Sequence, residues 1–320
     1  MTNSDHGKNV RHSNRLEGSV VAITGAGSGN GRASALRTGR EGASLYISDI
    51  NAELLENTLG DLKSEGIDAA GGIFDAANID DAPRLISAIT DAYGRIDVLV
   101  NNAAILGPLE PVGWDDVDTW RLTLEIDLIG SYLMLHKVLP IMVEQRRGKV
   151  INVASPNAVR YESWLTAYGV SKAGLVRLTT GTAAQTTQYG IDVNVVDVVG
   201  YTDLAKEVGN RPEADVLAAE YWRRRAEIGV VLKPDVNVPL MLWLASSESD
   251  GFTGRYVRWT MNLKDLKAAK EHIIASPTAL RPMFEFPKYI GETETARWYA
   301  SESAKVMAQV ESEFAGHSNE

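Results

Sequence analysis

The sequence predicts an α/β fold built as a doubly wound parallel sheet with helices on both faces. Short apolar runs alternate with stretches of helical composition from Leu16 onward, and the first run opens directly into a glycine-rich turn that leads into a helix. Alternation of this kind calls for right-handed crossovers and a parallel sheet, with ligands bound outside the carboxyl ends of the strands. The length of 320 residues suffices to bury a sizeable core.

Residues 1–15 (MTNSDHGKNVRHSNR) are polar and read as a flexible tail. Ser19 to Thr24 (SVVAIT) is the first strand, GAGSGNG the turn, and RASALRTGREG the first helix. Gly25, Gly29 and Gly31 let the chain turn tightly and bring helix N–H groups toward a pyrophosphate; a glycine turn without ligand is the other reading. The next strand (ASLYISD) ends at Asp49, 24 residues after Gly25. A carboxylate there can accept hydrogen bonds from the adenosine ribose hydroxyls and repel a 2′-phosphate, which favours NAD over NADP. Neither Ser28 nor Ile50 supplies the positive charge that would argue the reverse.

AELLENTLGDLKSEG reads as an amphipathic helix and AAGGIFDA as a third strand ending at Asp75. Residues 80–93 form another helix, and IDVLVNNAA a fourth strand whose end carries Asn101, Asn102, Ala103 and Ala104, small enough for a flat ring and ribose to approach. Residues 114–146 read as one long helix with a break near Pro140, followed by Arg146, Arg147 and Lys149 as a solvated cluster that compensates the helix dipole. A further strand (KVINVAS) ends at Ser155.

Tyr168 and Lys172 then lie four apart in a helical segment, on one helix face. A nearby ammonium stabilises a phenolate, so the pair can serve as a tuned acid/base; a solvated helix face explains the same spacing. The Ser155 hydroxyl can hydrogen-bond the oxygen of a carbonyl or alcohol.

Composition narrows the chemistry. The chain has no cysteine, which excludes disulfides, thiolate metal sites and a cysteine nucleophile, and agrees with a reducing compartment. A net charge of -10 and a pI near 5.1 oppose binding to nucleic acid or an anionic membrane. No signal-peptide core and no uninterrupted spanning run is evident, so a cytoplasmic protein is expected. No grouping of His, Asp and Glu has metal-ligand spacing, and His136 reads as a core or helix-surface residue.

Taken together, TGAGSGNG at 24–31, Asp49, Asp75, NNAA at 101–104, Ser155 and Tyr168-Gly-Val-Ser-Lys172 resemble the short-chain dehydrogenase/reductase family, and VNVV at 193–196 with 236–254 extends the likeness over about residues 16–258. The resemblance implies a Rossmann-type sheet of about seven strands, a nicotinamide dinucleotide, and hydride transfer at a carbonyl or alcohol carbon. It implies that Tyr168 is the acid/base, that Lys172 binds the nicotinamide ribose and lowers the tyrosine pKa, and that Ser155 orients the substrate oxygen. Gly25, Ser28, Gly29, Asn30 and Gly31 would hold the pyrophosphate, Asp49 and Ile50 the adenosine ribose, and Asp75 and Ala76 the adenine. Asn102, Ala103, Ala104 and Thr202 would lie near the nicotinamide. Most relatives are symmetric, so a homodimer or homotetramer is implied.

Two departures stand out. Asp127 occupies the place where the family usually has an asparagine that completes a proton relay. The family's Pro-Gly after the sixth strand is replaced by Val198 and Val199. The domain expected from this likeness spans 16–260, followed by an extension over 261–320: a proline-rich strap at 276–290 and a helix with Tyr299, Ser303, Val306, Met307, Val310 and Phe314 on one face. Substrate specificity is expected in 156–166 and 198–232, where Arg160, Tyr161, Trp164, Tyr201, Tyr221 and Trp222 stand beside Arg223, Arg224 and Arg225. These suit a bulky ring-containing alcohol or ketone, or else pack a lid helix. The reading is an NAD-dependent oxidoreductase for such a substrate; the alternatives are a catalytically weak dinucleotide-binding regulator or scaffold, or an epimerase or dehydratase that uses bound NAD transiently.

Overall fold

The computed structural model describes residues 14–159, 165–199, 233–276 and 278–280. The chain divides into one unit over 1–281 and a second over 282–320. The second unit lies outside the described residues, as do the first 13 residues, Thr202 and every aromatic and arginine named above for 160–164 and 200–232.

Seven strands form one parallel sheet: β1 (Val20–Thr24), β2 (Ser44–Asp49), β3 (Ala69–Ile73), β4 (Val98–Asn101), β5 (Gly148–Ala154), β6 (Ile191–Asp197) and β7 (Tyr256–Val257). Their order is β3-β2-β1-β4-β5-β6-β7. The expected doubly wound parallel sheet is therefore present. Successive side chains alternate between its faces because the strand period is two. Val21, Ile23, Leu45, Ile47, Val98, Val100, Ile151 and Val153 enter one core; Val20, Ala22, Tyr46, Leu99, Val150 and Val193 enter the other. Both faces are covered over the middle of the sheet, which is why β1 reads as a continuous apolar run. Each fully buried Val, Leu or Ile side chain contributes about 1.5–3 kcal/mol relative to exposure.

Among the described residues the helices are α1 (Gly29–Arg40), α2 (Ala52–Ser64), α3 (Asp81–Tyr93), α4 (Val117–Leu124), α5 (Ser131–Gln145), α6 (Thr166–Thr186), α7 (Val238–Ala245), α8 (Leu263–Ala268) and α9 (Lys270–Ala275). Asn51 starts α2 by accepting the Leu54 N–H, and Gly94 at φ 71° ends α3. The single helix expected over 114–146 is two helices joined by a wide π turn at Glu125–Gly130, and Pro140 lies inside α5 without ending it. Proline removes one helical N–H, and Val138 and Met142, both buried on the sheet, hold the helix on either side. The stretch Val117–Gln145 is long and apolar enough by composition to cross a membrane. Here its Met134, Leu135, Val138 and Met142 pack against the sheet.

Lys149 also differs from expectation. It is not solvated: its ammonium lies 3.0 Å from Asp192 and 2.8 Å from Asp250. Burial pushes the Asp192 carboxyl up, and Lys149 pulls it back. At the far edge, Arg255 donates to the carbonyls of Ile274, Ser276 and Ala279. Leu266 and Ile273 enter the main core, so packing continues beyond residue 260, the boundary expected from sequence.

Candidate active site

The strand order reverses between β1 and β4, and the carboxyl edge at that point is where a doubly wound sheet opens a cleft. Thr24 ends β1 there. Its hydroxyl accepts the N–H groups of Asn102 and Ala103, while the Asn102 side-chain amide donates to the carbonyls of Thr24 and Gly25 at 2.9 and 2.8 Å. The Asn102 amide therefore works on the loop itself.

Glycine is required by this approach. Gly25 has φ +63°, and a Cβ on it would lie 2.8 Å from Ala103 Cα; a Cβ on Gly31 would lie 2.2 Å from the Gly25 carbonyl oxygen. Gly29 also has positive φ, 52°. Ser28 precedes α1 with extended backbone and makes no side-chain cap bond. Asp49 closes the loop from the side, accepting the Gly27 N–H at 2.8 Å and the Asn51 N–H at 2.9 Å. A Cβ on Gly27 would sit 2.9 Å from that carboxylate, filling the approach to it. These residues fit a dinucleotide: a tight loop at a helix start for the pyrophosphate and a carboxylate for the ribose.

Nearby, Ile50 is 64% exposed. The Asp75 carboxylate accepts the Ala77 N–H in its own turn, and Ala76 is buried where a Cβ on Gly130 would strike its carbonyl at 2.6 Å. Ala104 is partly buried just beyond β4.

Ser155 follows β5, and its hydroxyl oxygen accepts the Asn157 N–H at 3.3 Å. Gly169 of α6 faces the same turn, where a Cβ on it would lie 3.4 Å from the Asn157 carbonyl oxygen. Tyr168 and Lys172 occupy successive turns of α6, 8% and 2% exposed, and the ammonium lies 5.3 Å from the phenol ring centroid. The spacing of four has placed both in the interior, so the solvated-face alternative does not hold.

Asp127, in the π turn, is fully buried. One carboxylate oxygen accepts the Ile105 N–H at 2.9 Å; the other accepts the Ser171 hydroxyl at 3.1 Å and lies 3.4 Å from the Lys172 ammonium. Burial pushes the Asp127 carboxyl up, opposed first by Lys172 and then by the Ile105 and Ser171 donors. Its backbone carbonyl accepts the Ser131 hydroxyl at 3.0 Å.

Residues 19–213 match the family model described as short chain dehydrogenase. The chain belongs to the short chain dehydrogenase family. One member, the (2S)-[(R)-hydroxy(phenyl)methyl]succinyl-CoA dehydrogenase subunit BbsD of Thauera aromatica, is 32% identical over 75% of this chain and 94% of its own length. Among solved short chain dehydrogenase folds, NAD+-bound xylitol dehydrogenase superposes with TM-score 0.70 at 25% identity, over 76% of this chain and 98% of that one. A variant of actinorhodin polyketide ketoreductase with NADPH superposes with TM-score 0.68 at 27% identity, over 75% of this chain and 95% of that one. As a short chain dehydrogenase the protein is an oxidoreductase whose fold binds a nicotinamide dinucleotide.

Two polar residues at this edge escape a reading of the sequence. Asp197, the last residue of β6, is buried and accepts the Tyr256 hydroxyl at 2.9 Å and the Trp259 N–H at 2.5 Å. Asn237, also buried, bonds Asn30 in the first turn of α1 and Val199 beyond β6. A lone acid in the apolar run VNVVDVV is the available signal for the first. Nothing local in KPDVNVPL distinguishes Asn237 from an ordinary helix cap.

Proposed function

We propose that this short chain dehydrogenase is an NAD-dependent oxidoreductase that interconverts a bulky, ring-containing secondary alcohol and its ketone. The observation that carries the reading is the buried group of Tyr168, Lys172 and Asp127 beside the turn that bears Ser155. NAD is favoured over NADP because Asp49 presents a carboxylate at the glycine loop, where a 2′-phosphate would meet like charge. A ring-bearing substrate is supported by the phenyl group in the name of the Thauera relative. A cytoplasmic homodimer or homotetramer belongs to the same proposal, on the family likeness.

The glycine loop, Asp49, Ile50, Asp75, Ala76 and Asn102 to Ala104 would hold the dinucleotide, with Lys172 and Thr202 toward its nicotinamide end. When bound, that group accepts or supplies the hydride. The chain handles the proton and the oxygen. In the oxidative direction Tyr168 takes the hydroxyl proton while the carbon loses hydride, leaving a carbonyl; in reduction Tyr168 returns the proton to the oxygen. Ser155 accepts the Asn157 N–H, which leaves its own hydrogen to donate to the substrate oxygen. Lys172 supplies positive charge beside the phenol, and Asp127 holds that ammonium in place while diluting its field.

A second reading, a dinucleotide-binding regulator with weak turnover, is favoured by one observation: the Asp127 carboxylate takes part of the Lys172 charge. The test follows NADH formation from aromatic and alicyclic secondary alcohols by wild type and Tyr168→Phe, with NAD and with NADP. Turnover with NAD that falls about 10²–10⁴-fold in the variant supports the dehydrogenase. Tight NAD binding without turnover across the panel favours the regulator.

A further inference from the structure

Asn237 lies directly before α7, where an asparagine ordinarily accepts an N–H of the first helical turn, yet its side chain makes no cap bond. It is instead turned inward and completely buried. The two hydrogens of the amide nitrogen are shared among Asn30 Oδ1 at 2.8 Å, the Val199 carbonyl, and the Pro234 carbonyl at 3.2 Å. The amide oxygen accepts the Val199 N–H at 3.2 Å.

These partners come from separate elements, the start of α1 and the chain leaving β6. Asn30 stands between Gly29 and Gly31 in the first turn of α1, and the neighbouring Ser34 hydroxyl donates to its carbonyl and to Met241 of α7. Val199 is the second residue beyond β6, at the place where the short-chain resemblance leads to the expectation of Pro-Gly. The Val199 N–H, like that of a glycine at the same place, needs a partner, and Asn237 supplies one. A buried amide with its donors and acceptor occupied has one arrangement that satisfies it, so it holds both partners in register.

We infer that Asn237 is a positioning residue that fastens the glycine loop, through Asn30, to the chain leaving β6, so that the pyrophosphate end and the nicotinamide end of the cleft are set as one unit. This rests on the dinucleotide lying at the glycine loop. Loss of the Asn237 amide leaves Asn30 Oδ1 and both Val199 backbone groups without this partner, and the loop loses the geometry that receives the pyrophosphate.

ADP-ribose, which carries the pyrophosphate and lacks the nicotinamide, is the direct probe. Its dissociation constant is measured calorimetrically on the full chain for wild type, Asn30→Ala, Asn237→Ala and the double variant, alongside thermal midpoints. Each single variant is expected to bind ADP-ribose about tenfold more weakly, and the double variant no more weakly than the worse single one, since both act through one bond. Should Asn237→Ala fail to fold, Asn237→Asp replaces it; that side chain keeps an acceptor for the Val199 N–H and loses the donor to Asn30. Binding within about twofold of wild type in the single variants, or single effects that multiply in the double, overturns the inference. A lowered midpoint with unchanged binding also overturns it, because it assigns Asn237 to stability alone. Wild type that fails to bind ADP-ribose or NAD overturns the cofactor reading, and this inference with it.

Discussion

At the β1–β4 end of the cleft the chain makes its contacts largely with backbone: Gly25 against Ala103, Gly31 against the Gly25 carbonyl, and the Gly27 N–H on Asp49. At the β5–β6 end it makes them with side chains from separate elements: Asp127 from the π turn, Lys172 and Tyr168 from α6, Asn237 ahead of α7. Backbone contacts demand the absence of a side chain, which only glycine meets, and so they leave a local mark in the sequence. Side-chain contacts between remote elements leave none, and one residue can be exchanged for another if the partners adjust.

The comparison predicts a sharp steric failure at the first end. Gly31→Ala places a methyl 2.2 Å from a backbone oxygen that cannot rotate away. A loss of about 3 kcal/mol in chemical denaturation is expected; a fully stable Gly31→Ala protein would mean that the loop is not this tightly closed. A smaller effect is expected from Asp49→Ser, which removes the charge but leaves a short polar side chain. Preference for NAD over NADP should fall about tenfold or more in paired binding measurements, and unchanged preference would move cofactor discrimination away from Asp49.

The smallest effect tests the second end. Burial raises the Asp127 carboxyl above its ordinary value, so the folded chain binds this proton more readily than the unfolded chain. The stability this group contributes is complete below the ordinary carboxylate range and is lost as pH rises through the raised folded value. Asp127→Asn cannot ionise and lacks that loss. Its thermal midpoint relative to wild type should therefore climb as pH rises through that window, whatever fixed offset arises from leaving Lys172 without its carboxylate. A difference that does not change with pH would show that Lys172 fully offsets the burial of Asp127.

Most of the fold is legible in the sequence because short continuous apolar runs and glycine turns are local signals; β1, β2 and β4 appear where the sequence places them, and the whole sheet is parallel. The break in the long helix is not where the sequence points, at Pro140, because proline is a visible marker, whereas the π turn at Glu125–Gly130 has no residue that announces it. Lys149 reads as solvated in the sequence because its partners, Asp192 and Asp250, lie 43 and 101 positions further along the chain.

The sequence by itself determined the strand–turn–helix frame, the glycine loop with Asp49, and the spacing of Tyr168 and Lys172, since each depends on residues close together in the chain. Only the tertiary structure decided that Lys172 shares its charge with Asp127 and that Asn237 reaches Asn30 and Val199 rather than capping its helix. The reason is physical: a buried polar group must find its partners, and which partners are within reach is set by how distant elements pack.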